Sequence, residues 1–217
     1  FNHWPTGQGF DRFYGFLSAD MDNWNPTLIR DVSPVRNANA PGYHLNADLA
    51  DQAIAMIGQR SGTNPPPPFF MYWATGTDHA PHHAPADWIA RYQGKFDMGW
   101  DKAREQILKQ QKAQGLVPRN ATLAPRPPLM PAWDSLSADQ NRLYARQMEV
   151  FAASLSYADF EFGRILDALQ ASGELDNTMV VITSDNGASA EGAPHGTFSE
   201  HTLVKADIEP VATNMQF

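Results

Sequence analysis

The run Ser184-Asp185-Asn186-Gly187 places a carboxylate beside an amide, within residues that favour turns. Carboxylate and amide oxygens are the ligands that hard cations such as Ca²⁺ and Mg²⁺ prefer in proteins. The same residue types are also common in ordinary turns that bind nothing. A divalent-metal site at Asp185 and Asn186 is therefore one interpretation, and a plain strand-to-loop turn is the other.

A second polar cluster, Thr77 to Pro85, contains three histidines within five positions. Its prolines exclude a helical pair of metal ligands. His79 comes soonest after the preceding apolar run, and its imidazole can donate a hydrogen bond to an anionic substrate. The alternative reading treats His82 and His83 as solvated loop residues, with Asp78 only capping or orienting the turn.

Both polar clusters directly follow apolar runs of strand length. Met179 to Thr183 is continuous and largely β-branched, which is typical of a strand buried on both faces. Phe69 to Trp73 is a second apolar run of strand length. Because ligands bind at the carboxyl ends of strands in open α/β sheets, the sequence predicts that the two clusters face one cleft.

Three segments have apolar residues at helical spacing and carry signals for helix ends. They run from Asn46, the predicted cap, to about Arg60, from Asp101 to Gln114 before Gly115, and from the capping box Ser137–Gln140 to Gly173. The first and the last lead through short loops into the two apolar runs. Each helix–strand pair is half of a parallel βαβ unit, which predicts an α/β fold.

The composition narrows the classes of function. The chain has 217 residues with 42% hydrophobic and 18% charged residues, as expected for a globular protein. Its net charge of −8 and lack of a basic patch argue against nucleic acid as a partner. It contains no cysteine, which excludes disulfides and thiolate chemistry within these residues. No apolar run approaches the roughly 18 residues of a membrane span.

Several stretches together resemble the type I sulfatase family, especially the bacterial arylsulfatases. They are Phe69–Tyr92, Tyr144–Phe151, Gly173–Gly187 and the opening Trp4 to Phe16 followed by Asp22-Asn23-Trp24. These motifs follow the family's order over nearly the whole chain. The resemblance implies an alkaline-phosphatase-like α/β fold, with a mixed, mostly parallel sheet flanked by helices.

The resemblance also implies a chemistry and a set of site residues. Enzymes of this family hydrolyse sulfate esters with a formylglycine, made from a Cys or Ser, beside a calcium ion; Mg²⁺ is the alternative metal here. Asp185 and Asn186 match the family's metal-binding pair, and the family's Asp also helps the hydrated aldehyde to attack sulfur. His79 matches the histidine that contacts the sulfate. The resemblance thus implies catalytic roles for Asp185 and His79.

The sequence departs from the family pattern in ways that matter for activity. No Cys/Ser-x-Pro-x-Arg run occurs, so the formylglycine precursor is absent from this chain. Thr77 and Asp78 stand where family members usually have Ala-Pro, which adds a carboxyl group beside His79. We interpret residues 1–217 as a partial sulfatase catalytic domain that lacks the N-terminal nucleophile segment and the C-terminal part. We expect no turnover from this chain alone.

Two other functions remain open at this stage. One is a phosphate or phosphonate ester hydrolase of the same superfamily, and the other is a non-catalytic remnant that binds an anion or a partner. The expected substrate is a small-molecule or glycan sulfate ester. The oligomeric state stays open, as does the compartment, whether secreted, periplasmic or cytoplasmic. Structural packing is favoured over substrate binding for Asp20, Asp22 and Trp24, and Glu191 and His195 are expected to be solvated.

Overall fold

The computed structural model describes residues 2–35, 41–60, 65–187, 195–197 and 210–215. The chain divides into two compact units. The first unit comprises Phe1–Trp88 and Ala153–Thr183, and the second comprises Ile89–Ala152 and Ser184–Phe217.

A three-stranded antiparallel sheet opens the first unit. Its strands are β1 (Tyr14–Gly15), β2 (Leu28–Arg30) and β3 (Ser33–Val35), in the spatial order β1-β2-β3. Asp31 turns the chain between β2 and β3 with a left-handed φ of 55°, a conformation that Asp tolerates better than most residues. Its Oδ1 accepts a hydrogen bond from the backbone N–H of Phe13 at 2.9 Å, which ties this turn to the start of β1.

Helix α1 spans Leu45–Arg60, as its periodicity predicts. The predicted cap at Asn46 is wrong, because Asn46 lies inside the first turn and its side chain donates to Thr77 Oγ1 at 2.9 Å. His44 performs that function instead. Its Nδ1 accepts a hydrogen bond from the backbone N–H of Asn46 at 3.1 Å, which satisfies one of the unpaired donors at the helix start.

Helix α2 spans Ala86–Ala90, α3 spans Gly99–Ala113, and α4 spans Ala138–Ala171. Both predicted ends of α4 are confirmed. Gln140 N donates to Ser137 Oγ while Ser137 N donates to Gln140 Oε1, which is the reciprocal pairing of a capping box. Gly173 adopts a φ of 74° and donates to Gln170 O, as in a Schellman motif.

The core of the first unit lies between α1 and the C-terminal half of α4. Ala53 and Ile57 on α1 are buried in one cluster with Ile165 and Leu169 on α4. Burial of the Ile57, Ile165 and Leu169 side chains stabilises the fold by about 1.5–3 kcal/mol each, relative to exposure. This cluster packs the C-terminal half of α4 against α1, the two helices that precede the apolar runs.

The second unit is built from α3, the first half of α4 and a short helix α5 (Val211–Asn214). Gly99, with a φ of 73°, lies directly against Trp133, and Trp133 meets the Trp100 ring edge-on at 4.9 Å. The predicted stop of α3 at Gly115 is confirmed by its φ of 73° and its hydrogen bond to Lys112 O. Among the described helices, none combines the length and the apolar character needed to cross a membrane.

The apolar run Met179 to Thr183 departs from its prediction. Among the described residues it pairs with no strand, and Met179, Val181 and Ile182 are 88%, 75% and 77% exposed. The expected burial on both faces is therefore wrong for these residues. A buried strand of this kind needs hydrogen-bonded neighbours at its sides and helices over both faces, and the described part of the chain supplies neither here.

The run Phe69 to Trp73 keeps the alternation of a strand without its pairing. Phe70 and Tyr72 are 79% and 74% exposed, whereas Phe69, Met71 and Trp73 pack against the core cluster. A burial period of two residues is the geometry of an extended chain with one buried face. The predicted strand is thus supported in its alternation, although it has no ladder partner within the described ranges.

Candidate functional site

The histidine loop, residues 77–83, follows the extended run of the first unit and is held by tight turns. His79 N donates to Gly76 O at 2.8 Å, and His83 N donates to Pro81 O at 2.8 Å. The Asn46 side chain donates to Thr77 Oγ1, and the Asn23 side chain donates to Pro81 O at 3.4 Å. The loop is therefore anchored at both ends by amide groups from other parts of the unit.

His79 is an exposed residue of this loop. Its Nδ1 lies 2.8 Å from Ala80 O, and because a carbonyl only accepts hydrogen bonds, Nδ1 carries a proton. Nε2 is then the ring nitrogen that would donate to an anionic oxygen in the doubly protonated imidazole. The position and chemistry suit a contact with an anion, and the role of His79 in substrate binding stays a prediction.

His83 is not a solvated loop residue, so that reading is wrong. Asn23 N donates to its Nδ1 at 3.3 Å, Asp22 Oδ1 lies 3.5 Å from the same nitrogen, and the Trp24 ring stacks on it at 6.0 Å. Burial lowers the pKa of His83, and the nearby Asp22 carboxylate opposes that shift. This packing also agrees with the structural reading of Asp22 and Trp24.

His82 is half-buried as well. Its Nε2 donates to Asp78 O at 3.2 Å, and burial lowers the pKa of its imidazole. The surrounding histidines act in the same direction as burial, because a positive charge on one disfavours a positive charge on the next.

His44 is the residue of this region that the sequence did not single out. Its Nδ1 accepts from Asn46 N, and its Nε2 lies 3.3 Å from His83 O, so both ring nitrogens are engaged in one neutral tautomer. The rings of Trp24 and Tyr157 meet it edge-on at 4.8 and 4.6 Å. Burial lowers its pKa to about 4. His44 thus joins α1, α4 and the histidine loop as an uncharged group.

Asp78 is a buried carboxyl group immediately before His79, with 9% of its side chain exposed. Among the described residues, neither carboxyl oxygen of Asp78 has a partner that meets the distance and angle criteria of a hydrogen bond. The Asp78 side chain therefore does not cap the turn. His82 Nε2 lies 4.0 Å from Oδ1, and the Ser154 hydroxyl is the other polar neighbour. Burial raises its pKa to about 7, which the Ser154 hydroxyl only partly opposes. The carboxyl is therefore largely neutral in mildly acidic solution.

Asp185 and Asn186 lie in an exposed turn of the second unit. Asn186 N donates to Asp185 Oδ1 at 2.9 Å, the Asn186 side chain donates to Gly187 O at 2.7 Å, and Ser184 Oγ donates to Asn186 O at 2.6 Å. These hydrogen bonds do not use Asp185 Oδ2 or Asn186 Oδ1, so these two oxygens are the candidate metal ligands. Across the described residues, no group of three or more His, Cys, Asp and Glu side chains surrounds a potential metal position.

The predicted site residues thus fall in different parts of the chain. His79 belongs to the first unit, whereas Asp185 and Asn186 belong to the second. The single cleft expected for them stays a prediction. Outside these groups, His195 is not solvated as expected, because Tyr144 Oη lies 2.6 Å from its Nδ1 and the two rings stack. Glu191 lies outside the described residues.

Comparison with known proteins shows the family. A family model described as Sulfatase matches residues 2–207. A sulfatase of Schizosaccharomyces pombe, named as uncharacterised, is 33% identical over 203 residues, which cover 86% of this chain and 36% of that protein. An arylsulfatase of Klebsiella aerogenes is 26% identical over 197 residues, which cover 85% of this chain and 41% of that protein. A sulfatase of Formosa agariphila is 27% identical over 154 residues, which cover 70% of this chain and 28% of its own length.

The match runs through both candidate groups and spans well under half the length of these relatives. Sulfatase domains have the alkaline-phosphatase-like α/β fold, so the predicted fold class is confirmed, and the mixed helices and sheet of the described residues agree with part of such a domain. The chain belongs to the sulfatase family.

Proposed function

We propose that the protein carrying this chain is a sulfuric ester hydrolase of the arylsulfatase type. The main support is the family match over residues 2–207, a range that contains His79, Asp185 and Asn186. A second support is the similarity to a protein named arylsulfatase over 85% of the chain. The substrate class is a sulfate ester of a small molecule or a glycan.

In this proposal His79 contacts the sulfate group. Hydrolysis increases negative charge on the sulfuryl oxygens or on the leaving oxygen, and donors placed at these atoms lower the barrier. A loop that is anchored by hydrogen bonds from Asn23 and Asn46 suits this role, because a donor held in place needs little reorganisation during the reaction. Asp185 has the second catalytic role, next to the nucleophile.

Asp185 and Asn186 are proposed to bind part of a Ca²⁺ site, with Mg²⁺ as the alternative. The donor chemistry fits, since both supply hard oxygens and both are exposed. When bound, the ion supplies positive charge that offsets the charge of the sulfuryl oxygens. Calcium takes roughly 6–8 oxygens, so further ligands must come from elsewhere. The nucleophile of this proposal is a formylglycine, whose precursor motif Cys/Ser-x-Pro-x-Arg does not occur within these 217 residues.

Activity of the complete protein tests the proposal. We expect turnover of 4-nitrophenyl sulfate, and we expect His79→Ala to lower kcat/KM by about 100-fold or more, the usual effect of removing a donor to a developing charge. His3→Ala is the matched control, because His3 is an exposed histidine outside the histidine loop. Faster turnover of 4-nitrophenyl phosphate would identify a phosphate ester hydrolase instead. A folded, calcium-loaded protein that turns over neither ester would be a non-catalytic remnant.

Calorimetry with calcium tests the metal assignment separately. We expect Ca²⁺ to bind the complete protein with a rise in Tm, because a ligand that binds only the native state stabilises it. Asp185→Asn removes the charged ligand and should weaken binding by about 10-fold or more. Asp139→Asn is the control, since Asp139 is an exposed aspartate of the same unit, paired with Arg142. Equal calcium affinity in both variants would exclude Asp185 as a ligand.

A further inference from the structure

A surface pocket of about 130 Å³ lies in the first unit, remote in sequence from the histidine loop. Two arginines, an aspartate and two glutamines supply its polar lining: Arg12, Arg30, Asp31, Gln52 and Gln59. The sheet contributes one wall and α1 contributes the opposite one. This volume equals that of about four water molecules in the liquid, at roughly 30 Å³ each, so the pocket has room for a small ion.

Among the described residues, the two arginines are paired with neutral groups and not with carboxylates. Arg30 Nη2 donates to Gln52 Oε1 at 2.8 Å, and Arg12 Nη1 donates to Gln59 Oε1. Five other arginines form ion pairs with carboxylates: Arg60, Arg126, Arg142, Arg146 and Arg164.

The carboxylate in the pocket lining, Asp31, accepts a hydrogen bond from the backbone. Asp31 Oδ1 accepts the hydrogen bond from Phe13 N that ties the β2–β3 turn to the start of β1. Among the described residues, neither Arg12 nor Arg30 forms an ion pair with it. The polar lining therefore carries two guanidinium charges against one carboxylate, which leaves a net positive charge for a ligand to neutralise.

Neighbouring hydrogen bonds hold Arg30 in place. Its guanidinium lies 4.6 Å from the centre of the Tyr14 ring, a favourable cation–π position. Gln52 Nε2 donates to Asp48 Oδ1 at 3.3 Å, which turns its amide oxygen toward Arg30. Tyr14 and Tyr43 both donate to the other Asp48 oxygen, at 2.6 and 2.9 Å. A ligand that meets Arg30 thus finds a group that is already oriented.

We propose that Arg12 and Arg30 form a binding site for a small tetrahedral oxyanion, sulfate or phosphate, either free or carried on a sugar. A guanidinium group presents a planar fork of N–H donors that matches such an anion in two-point contacts. Each guanidinium group donates one hydrogen bond to a glutamine and has further N–H donors for the ligand. The site is independent of the proposed catalytic role of His79.

Calorimetry with sodium sulfate, at ionic strength held constant with sodium chloride, tests the proposal. The complete protein is used in a His79→Ala background, so that sulfate at the proposed catalytic site does not contribute. We expect one sulfate site there, and we expect the added pair Arg12→Gln and Arg30→Gln to weaken it at least 10-fold. Arg142→Gln is the control, because it removes an exposed guanidinium that is already paired with Asp139. Unchanged binding in the double variant, or no sulfate binding before it, would overturn the proposal.

Two further measurements keep the test decisive. If the double variant fails to fold, Arg30→Lys retains the charge but loses the planar fork, and it should still weaken sulfate binding several-fold; equal affinity would contradict the geometry. Glucose 6-sulfate in place of the free ion identifies the source. Binding of both ligands supports a group carried on a sugar, and binding of the inorganic ion alone supports a free-ion site.

Discussion

Burial decides the charge of Asp78, because an isolated carboxylate loses its hydration when it leaves water. The family comparison makes this residue an added negative charge beside His79, which would repel a sulfate ester. In the structure the side chain is buried and its pKa is raised to about 7, so that charge is largely withheld below neutral pH. An acidic residue in this position is therefore compatible with an anion-binding loop.

The raised pKa of Asp78 predicts a pH-dependent loss of stability. An aspartate has a pKa near 3.8 in the unfolded chain and about 7 here, so between these values the unfolded state releases a proton that the native state keeps. The stabilising contribution is complete below about pH 4 and is lost as the pH rises to about 7. Asn cannot ionise, so the Tm of Asp78→Asn relative to the wild type should rise over this range and then level.

Thermal melts of the complete protein at several pH values measure this difference. Asp139→Asn is the comparison, since Asp139 is exposed and its replacement should shift the Tm by a small amount that changes little with pH. A difference between Asp78→Asn and the wild type that stays constant from pH 4 to pH 7 would show that Asp78 is not a buried neutral acid.

Among the secondary-structure elements, those whose signals are local were predicted well. The capping box at Ser137 and Gln140 and the stops at Gly115 and Gly173 depend on a few neighbouring residues, and each is found as expected. The cap of α1 was misassigned because two adjacent candidates, His44 and Asn46, compete. Only the position of Thr77, 31 residues further on, decides that Asn46 turns inward.

The strands and the histidine loop depend on distant partners, which a sequence pattern does not specify. Met179 to Thr183 reads as a buried strand from its composition, but burial requires neighbours that the described residues do not provide. His83 reads as solvated because nothing nearby in sequence reveals Trp24 and Asn23, which approach it from about 60 residues away. The sequence shows which residue types could form a site, but it does not show how those residues pack.

At the start of α3, Gly99 lies in close contact with the Trp133 ring, and replacing this glycine tests how much that contact contributes to stability. A Cβ atom on Gly99 would lie 2.1 Å from the Trp133 ring, and its φ of 73° is strained for any residue with a side chain. Gly99→Ala should therefore lower the free energy of unfolding by about 2–4 kcal/mol, from strain and overpacking together. Gly58→Ala is the control, because Gly58 lies within α1 with nothing near its Cβ, and it should stabilise by up to about 1 kcal/mol. Denaturation that ranks the two variants equally would contradict the contact.

At the scale of the whole molecule, the exposed apolar runs are the feature that most needs a partner. Val181 and Ile182 in one run, and Phe70 and Tyr72 in the other, expose large apolar side chains in the segments that precede the candidate site residues in the sequence. Unpaired strands of this kind are templates for pairing with another chain. Because the chain spans 36% and 41% of the length of two sulfatase relatives, we expect the rest of the complete protein to cover them.

Val181→Lys separates a covered run from an exposed one. In the isolated 217-residue chain the added charge should reduce self-association in light scattering, because a charge on an unpaired apolar strand opposes edge-to-edge pairing. In the complete protein the same change should lower the free energy of unfolding by about 3 kcal/mol or more, the effect of burying an unpaired charge. Asp176→Lys, at an exposed residue of the short 3-10 helix Leu175–Asn177, is the control and should change little in either context. If the complete protein tolerates Val181→Lys as well as Asp176→Lys, the run lies on its surface, and the α/β sheet expected around Asp185 does not include it.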